Sequence, residues 1–190
     1  MCATVILPPC IELGKPCELI TWHRSYALCH RLAEQIREAG FHPDIIVAIG
    51  RGGWVPGRIL ADFLDLMDLT SFKIEHYHGP HKQKLAIVKY PLSAQISSRQ
   101  VLLVDDVSDS GDTFEVALEH LSIRGSPATV RTAVIHHKIQ SRFTPDIYAR
   151  KIVKWRCLIY PWALLEDLTT LVGEMKPVPR DAREVALRLN

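Results

Sequence analysis

Residues 101–113 read VLLVDDVSDSGDT, an apolar tetrad that runs without a break into carboxylates and hydroxyls. Val101, Leu102, Leu103 and Val104 form the short apolar run of a buried strand. Asp105 and Asp106 follow directly. Because strand side chains alternate, one is expected to face a ligand and the other supporting structure. Two adjacent carboxylates repel unless a cation or hydrogen-bond donors offset them; ligand hydroxyls and a hydrated Mg²⁺ are suitable partners. Ser110, Gly111 and Thr113 then stand at a helix N-terminus, where free N–H groups and the helix dipole favour a phosphate. Gly111 lets the backbone approach closely. One loop thus offers carboxylates to a polyol and a nest to a phosphate, the combination that a ribose 5-phosphate needs. A bare Asp-Asp turn is as often a plain acidic turn before a capped helix; the full string is far more specific.

Upstream, Pro43-Asp44 opens a second apolar run, Ile45–Ile49, which stops at Gly50-Arg51-Gly52-Gly53. A helix is predicted from about Val55 to Leu66, with Ile59, Leu60, Phe63 and Leu66 inward. Before it, Thr21 can N-cap a helix in which Tyr26, Cys29, Leu32, Ala33 and Ile36 recur at helical spacing until Gly40. Ser71–Tyr77 and Leu85–Tyr90 read as two strands around the polar tip His78–Lys84, HGPHKQK. The helix after Thr113 runs to about Ile123, ahead of the breakers Gly125 and Pro127, and Thr129–Ile135 is a further strand. Residues 146–160 hold one or two short strands, Ala163–Leu171 a short amphipathic helix, and the tail is weakly helical from Arg180. Alternating strands and helices predict an α/β fold with a mainly parallel sheet. Ligands of such sheets bind at the carboxyl ends of the strands, where both Gly-bearing turns sit.

The 190 residues carry 23 Lys+Arg against 21 Asp+Glu, a formal charge of +2. That balance argues against a dedicated nucleic-acid binder, which would show a basic excess. Hydrophobic residues at 47% and charged residues at 23% are ordinary globular values. The length suits one core: an irregular arm over 1–20, a domain over 21–172 and a tail over 173–190. No apolar run is long enough to span a bilayer, and the N-terminus does not read as a signal peptide. The Cys at 2, 10, 17, 29 and 157 are odd in number and never form C-x-x-C. They point away from a disulfide framework or zinc site and towards a reducing, cytoplasmic location. Residues 73–89 concentrate Lys73, Lys82, Lys84, Lys89, His76, His78 and His81 against Glu75. For any single His in that excursion, a solvated hairpin is the better reading.

VLLVDDVSDSGDT resembles the phosphoribosyl diphosphate signature of the type I phosphoribosyltransferases, above all the purine members that act on xanthine, guanine or hypoxanthine. The likeness covers about residues 21–172 and implies their fold: a central, mainly parallel sheet flanked by helices, with a small hood. It implies that Asp105 and Asp106 hold the ribose 2- and 3-hydroxyls, with Mg²⁺ arriving on phosphoribosyl diphosphate (PRPP). Asp109 would lie near N7 of the base and handle its proton. Ser110, Gly111, Asp112 and Thr113 would hold the 5-phosphate, the Asp112 side chain turning to solvent. The Gly50–Gly53 turn would be the diphosphate loop, with Arg51 supplying charge, Gly52 backbone donors, and a cis peptide at Gly50–Arg51. Lys82 and Lys84 would reach the diphosphate from the hood.

On the base side, the resemblance assigns Lys138 to the purine 6-oxo group. Pro161-Trp162 matches an aromatic-x-x-x-Pro-Trp segment, but Cys157 occupies the position of the stacking aromatic. Trp155 lies two residues earlier, on the same face by strand alternation, and Ile159 completes the set. Either Trp155 stacks on the base or the pocket differs. The implied activity joins a 6-oxopurine to PRPP, giving nucleoside monophosphate and diphosphate. A non-catalytic PRPP-binding regulator, or a transferase for adenine or a non-purine base, are the alternatives. A homodimer is implied, with neither nucleic acid nor membrane as partner.

Overall fold

The computed structural model describes residues 16–78 and 84–189. The elements in chain order are β1 (Cys17–Leu19), α1 (Trp22–Glu38), β2 (Ile45–Gly50), α2 (Trp54–Phe63), β3 (Leu69–His78) and β4 (Lys84–Tyr90). They continue with β5 (Gln100–Ser108), α3 (Asp112–Arg124), β6 (Thr129–Lys138), β7 (Ile147–Ile152), β8 (Cys157–Ile159), α4 (Leu164–Glu174) and α5 (Ala182–Leu189). They fall into two units, one spanning Trp22–Lys154, the other combining the described residues up to Thr21 with those from Trp155 onward. Among the described residues no helix is long and apolar enough to cross a membrane.

The larger unit is a six-stranded sheet in the order β4-β3-β2-β5-β6-β7. Every pairing in it is parallel except β3 with β4. The α/β expectation therefore holds. Period-two alternation sorts the strand side chains onto two faces. Ile45, Val47, Ile49, Val101 and Leu103 pack with Phe114, Ala117 and Leu121 of α3. Ile46, Leu102, Val104 and Ala133 pack with Leu32, Ala33 and Ile36 of α1 and Leu60 and Ala61 of α2. Both faces are buried, so β2 and β5 read as unbroken apolar runs rather than alternating ones.

From β2 the chain winds outward to β3, whereas β5 lies on the other side of β2. The order thus reverses between β2 and β5, the position where open α/β sheets form their ligand crevice. Both Gly-bearing turns open there. β5 is longer than the apolar tetrad: it pairs with β2 only from Val101 to Val104, but with β6 as far as Ser108. Asp105 and Asp106 therefore stand beyond the last residue of β5 that pairs with β2.

Three local expectations are corrected. The helix read to Leu66 ends at Phe63, because Asp65 takes a left-handed φ of 54° and Leu66 N–H returns to the Ala61 carbonyl at 2.9 Å. This Schellman closure uses an Asp where Gly is usual, which hid it from the sequence. On α1, Tyr26 is exposed and packs on the Phe63 ring at 5.1 Å, while Ser25, one turn before Cys29, takes the buried position. In the second unit the arm is not irregular throughout, since Cys17–Leu19 pairs in parallel with β8.

Candidate active site

The turn after β2 is shaped by the absence of side chains. A Cβ on Gly53 would lie 2.3 Å from the Val104 carbonyl oxygen and 2.8 Å from that of Ile49. A Cβ on Gly52 would lie 2.6 Å from Asp106 Oδ1 and 2.7 Å from Asp105 Oδ1. The bare backbone of this turn thus packs against the tip of β5 and its carboxylate pair. The Gly50–Arg51 peptide is cis, as the resemblance implied, and Arg51 is exposed.

The carboxylate pair divides as alternation requires. Asp105 shares the parity of Val101 and Leu103 and is buried; Asp106 is half-buried. Asp106 N–H donates to Asp105 Oδ1 at 2.9 Å. Burial, with Asp106 alongside, pushes the Asp105 carboxyl well above the ordinary carboxylate range, and that single hydrogen bond offsets only part of the effect. Asp105 is thus the supporting member and Asp106 the outward one.

Asp109 and Lys138, twenty-nine residues apart, are brought together at the ends of β5 and β6. Lys138 Nζ donates to Asp109 Oδ2 at 2.7 Å, and Gln140 reaches Oδ1 at 3.3 Å. The Lys side chain is 4% exposed and the Asp 50%. A buried Lys side chain therefore orients a carboxylate that stays half exposed.

Next comes the turn into α3. Gly111 has a φ of 99°, and a Cβ there would meet Phe143 N at 2.7 Å. Ser110 Oγ donates to Asp112 at 3.0 Å. Asp112 does not turn to solvent as expected: it pairs with the Arg142 guanidinium and is 22% exposed. Burial pushes its carboxyl upward, but the Ser110 hydroxyl and Arg142 outweigh this and hold it below the usual range. Thr113 Oγ1 is 3.0 Å from His76 Nε2 on β3. Arg142 and His76 are the residues that sequence reasoning missed. Arg142 carries no motif, and His76 reads in sequence as one of several solvated histidines.

Among the described residues of β3 and β4, Glu75 gathers two of the Lys side chains. Lys73 and Lys89 both pair with Glu75, at 2.5 and 2.9 Å. Lys82 lies outside the described residues, and Lys84 opens β4.

In the other unit, Cys157 opens β8 opposite Cys17 in register, its N–H bonding to the Pro16 carbonyl at 2.8 Å. Burial pushes the Cys17 thiol up, and a hydrogen bond with the Cys157 thiol offsets part of this. Trp155 precedes the strand rather than belonging to it, so alternation does not set its face against Cys157. It is 41% exposed, while Ile159 is buried. Tyr160 stacks on Trp162 at 4.7 Å.

A carboxylate pair, an oriented Asp–Lys couple and a helix N-terminus meet at a sheet's switch point. Together they mark the candidate site of an α/β protein with a mainly parallel sheet. Over residues 18–163 the chain matches the family described as phosphoribosyl transferase domain, and it belongs to that family. It is 26% identical to the xanthine-guanine phosphoribosyltransferase of Cereibacter sphaeroides across 74% of this chain and 86% of that one. It is 36% identical to the Vibrio atlanticus enzyme of the same name, across 50% of this chain and 59% of that one. Among solved structures, a purine phosphoribosyltransferase of Pyrococcus horikoshii superposes with a TM-score of 0.68 at 29% identity, over 77% of this chain and 93% of that one. A Neisseria gonorrhoeae protein with bound ppGpp superposes at 0.70 and 27% identity, over 84% and 97%.

Proposed function

We propose that the chain transfers ribose 5-phosphate from PRPP to a 6-oxopurine, releasing diphosphate and a nucleoside monophosphate. The carrying observation is the 2.7 Å contact of Lys138 with Asp109 beside the Asp105–Asp106 pair. It supports reading Asp109 as the carboxylate that handles the proton of the base and Lys138 as the cation beside it. In this reading Asp106, backed by Asp105, orients the ribose hydroxyls, and the Asp109–Thr113 turn holds the 5-phosphate. Arg51, with Lys82 and Lys84 of the hood, balances the departing diphosphate. Lys138 donates to the 6-oxo group while Asp109 manages the proton at N7. Holding sugar and base in line is the larger part of the catalysis, with charge stabilisation at the leaving group second.

The donor set fits Mg²⁺ as a passenger on PRPP. Among the described residues no group of three or more His, Cys, Asp and Glu is placed to hold a metal. Asp106, the outward carboxylate, would offer oxygen to a cation that arrives on the substrate, with the buried Asp105 behind it. When bound, Mg²⁺ neutralises diphosphate charge. The similarity to purine-specific relatives supports the purine assignment; a dimer and a cytoplasmic location are read by resemblance.

Diphosphate release from PRPP and Mg²⁺, measured across hypoxanthine, guanine, xanthine and adenine, tests the reading. Turnover is expected with at least one 6-oxopurine. Ligand binding without release from any base would point instead to a regulator. Asp109→Asn should lower turnover about a hundredfold while the chain still folds, and unchanged turnover removes its assigned role. Lys138→Ala should weaken 6-oxopurines more than adenine; an equal effect on both argues against the 6-oxo contact.

A further inference from the structure

Asp112 sets the phosphate subsite an electrostatic problem. It opens α3 directly after the left-handed Gly111, at the positive end of the helix dipole. A carboxylate suits a bare helix N-terminus, but it repels a phosphate dianion arriving at the same place.

The loop between β6 and β7 supplies the counter-charge and locks it in position. The Arg142 guanidinium pairs with Asp112. The Arg142 N–H donates to the Ser110 carbonyl at 3.0 Å. Phe143 stacks on Phe114 of α3 at 4.9 Å with an interplanar angle of 5°. Ser141 Oγ lies 2.8 Å from Ser108 Oγ. Backbone, ring and hydroxyl contacts therefore all tie this loop to the turn, so the guanidinium is delivered rather than wandering. Its side chain is 68% exposed, which leaves donors open to an incoming oxygen.

We propose that Arg142 is a positioning residue of the 5-phosphate subsite, which neutralises Asp112 so that the Asp109–Thr113 turn can accept a phosphorylated ribose. The proposal rests on reading that turn as the phosphate site. Arg suits the task because its planar fork can hold a carboxylate oxygen and still present N–H groups elsewhere.

The test is calorimetric binding of ribose 5-phosphate to the wild-type chain and to Arg142→Ala, Asp112→Asn and the double variant. Steady-state KM for PRPP and thermal melts accompany it. Arg142→Ala should weaken ribose 5-phosphate and raise the PRPP KM about tenfold, with kcat changed much less. Asp112→Asn should bind at least as tightly as wild type. The double variant should recover most of the loss, because the repelling carboxylate is gone. Such rescue is not expected of a residue that only holds a loop in place. An Arg142→Ala chain that binds like wild type, or a double variant as weak as Arg142→Ala, overturns the proposal. A wild-type chain that binds ribose 5-phosphate yet releases no diphosphate with any base overturns the transferase reading and leaves this one standing.

Discussion

The turn Gly50–Gly53 after β2 and the turn Asp109–Gly111 after β5 stand at the carboxyl ends of neighbouring parallel strands, each leading into a helix. The second is held by side chains from elsewhere: Lys138 on Asp109, Arg142 on Asp112, His76 on Thr113. The first leaves no room for a Cβ on Gly52, against the Asp105 and Asp106 carboxylates, or on Gly53, against the backbone of Ile49 and Val104. One turn is thus shaped by side-chain contacts, and the other by the absence of side chains at Gly52 and Gly53. The two also depend on each other, because the carboxylates of β5 occupy the space that a side chain at Gly52 would need.

Three substitutions probe this contrast. Gly53→Ala should have the largest effect. Its Cβ would face two carbonyl oxygens on the central strands, at 2.3 and 2.8 Å, neither of which can rotate away. A loss of about 3 kcal/mol is expected, or a Tm lower by roughly 6–12 °C. A Tm within about 2 °C of wild type would show that β2 and β5 separate easily and that the turn is not held as described.

Gly52→Ala should cost less stability and more function, because its obstacles are carboxylate oxygens that can swing aside. The expected result is a kcat/KM for PRPP at least about tenfold lower, with a smaller fall in Tm than for Gly53→Ala. Equal damage to both quantities would remove the distinction between the two glycines.

Asp105→Asn should produce the smallest change and the opposite sign. Burial and Asp106 raise the carboxyl of Asp105, so its ionised form opposes folding. Below the unfolded value, roughly pH 4, folded and unfolded chains are both protonated and the penalty vanishes. It grows as pH rises towards the folded value and is complete above it. Asn keeps the oxygen that accepts the Asp106 N–H. The unliganded variant should therefore melt a few degrees higher at pH 8 than wild type, with the gain fading towards pH 4. A gain that is flat with pH, or a loss at pH 8, breaks this account of the pair.

The parallel sheet was legible because fully buried strands are written as apolar runs, and Ile45–Ile49 and Val101–Val104 are such runs. The Asp-Asp string was legible because residue types and spacing carry its chemistry. Arg142 was not, since one Arg in a Ser-Arg-Phe-Thr segment shows no trace of a carboxylate thirty positions earlier. Cys157 was read against a missing aromatic. The register instead places it opposite Cys17, a pairing of distant segments that no local pattern encodes. His76 is one of three histidines in a basic hairpin, and nothing local separates it from a solvated side chain.

By itself the sequence determined the α/β class, the two Gly-bearing turns at strand ends and the acidic string that a phosphorylated sugar requires. These follow from local rules: the period of apolar residues, the steric freedom of Gly and the exposed N–H groups of a helix start. Only the tertiary structure decided that Lys138 meets Asp109, that Arg142 covers Asp112, and that Gly52 leaves space for both carboxylates. Those contacts depend on strand order and register, which bring residues about thirty to fifty positions apart to one edge of the sheet.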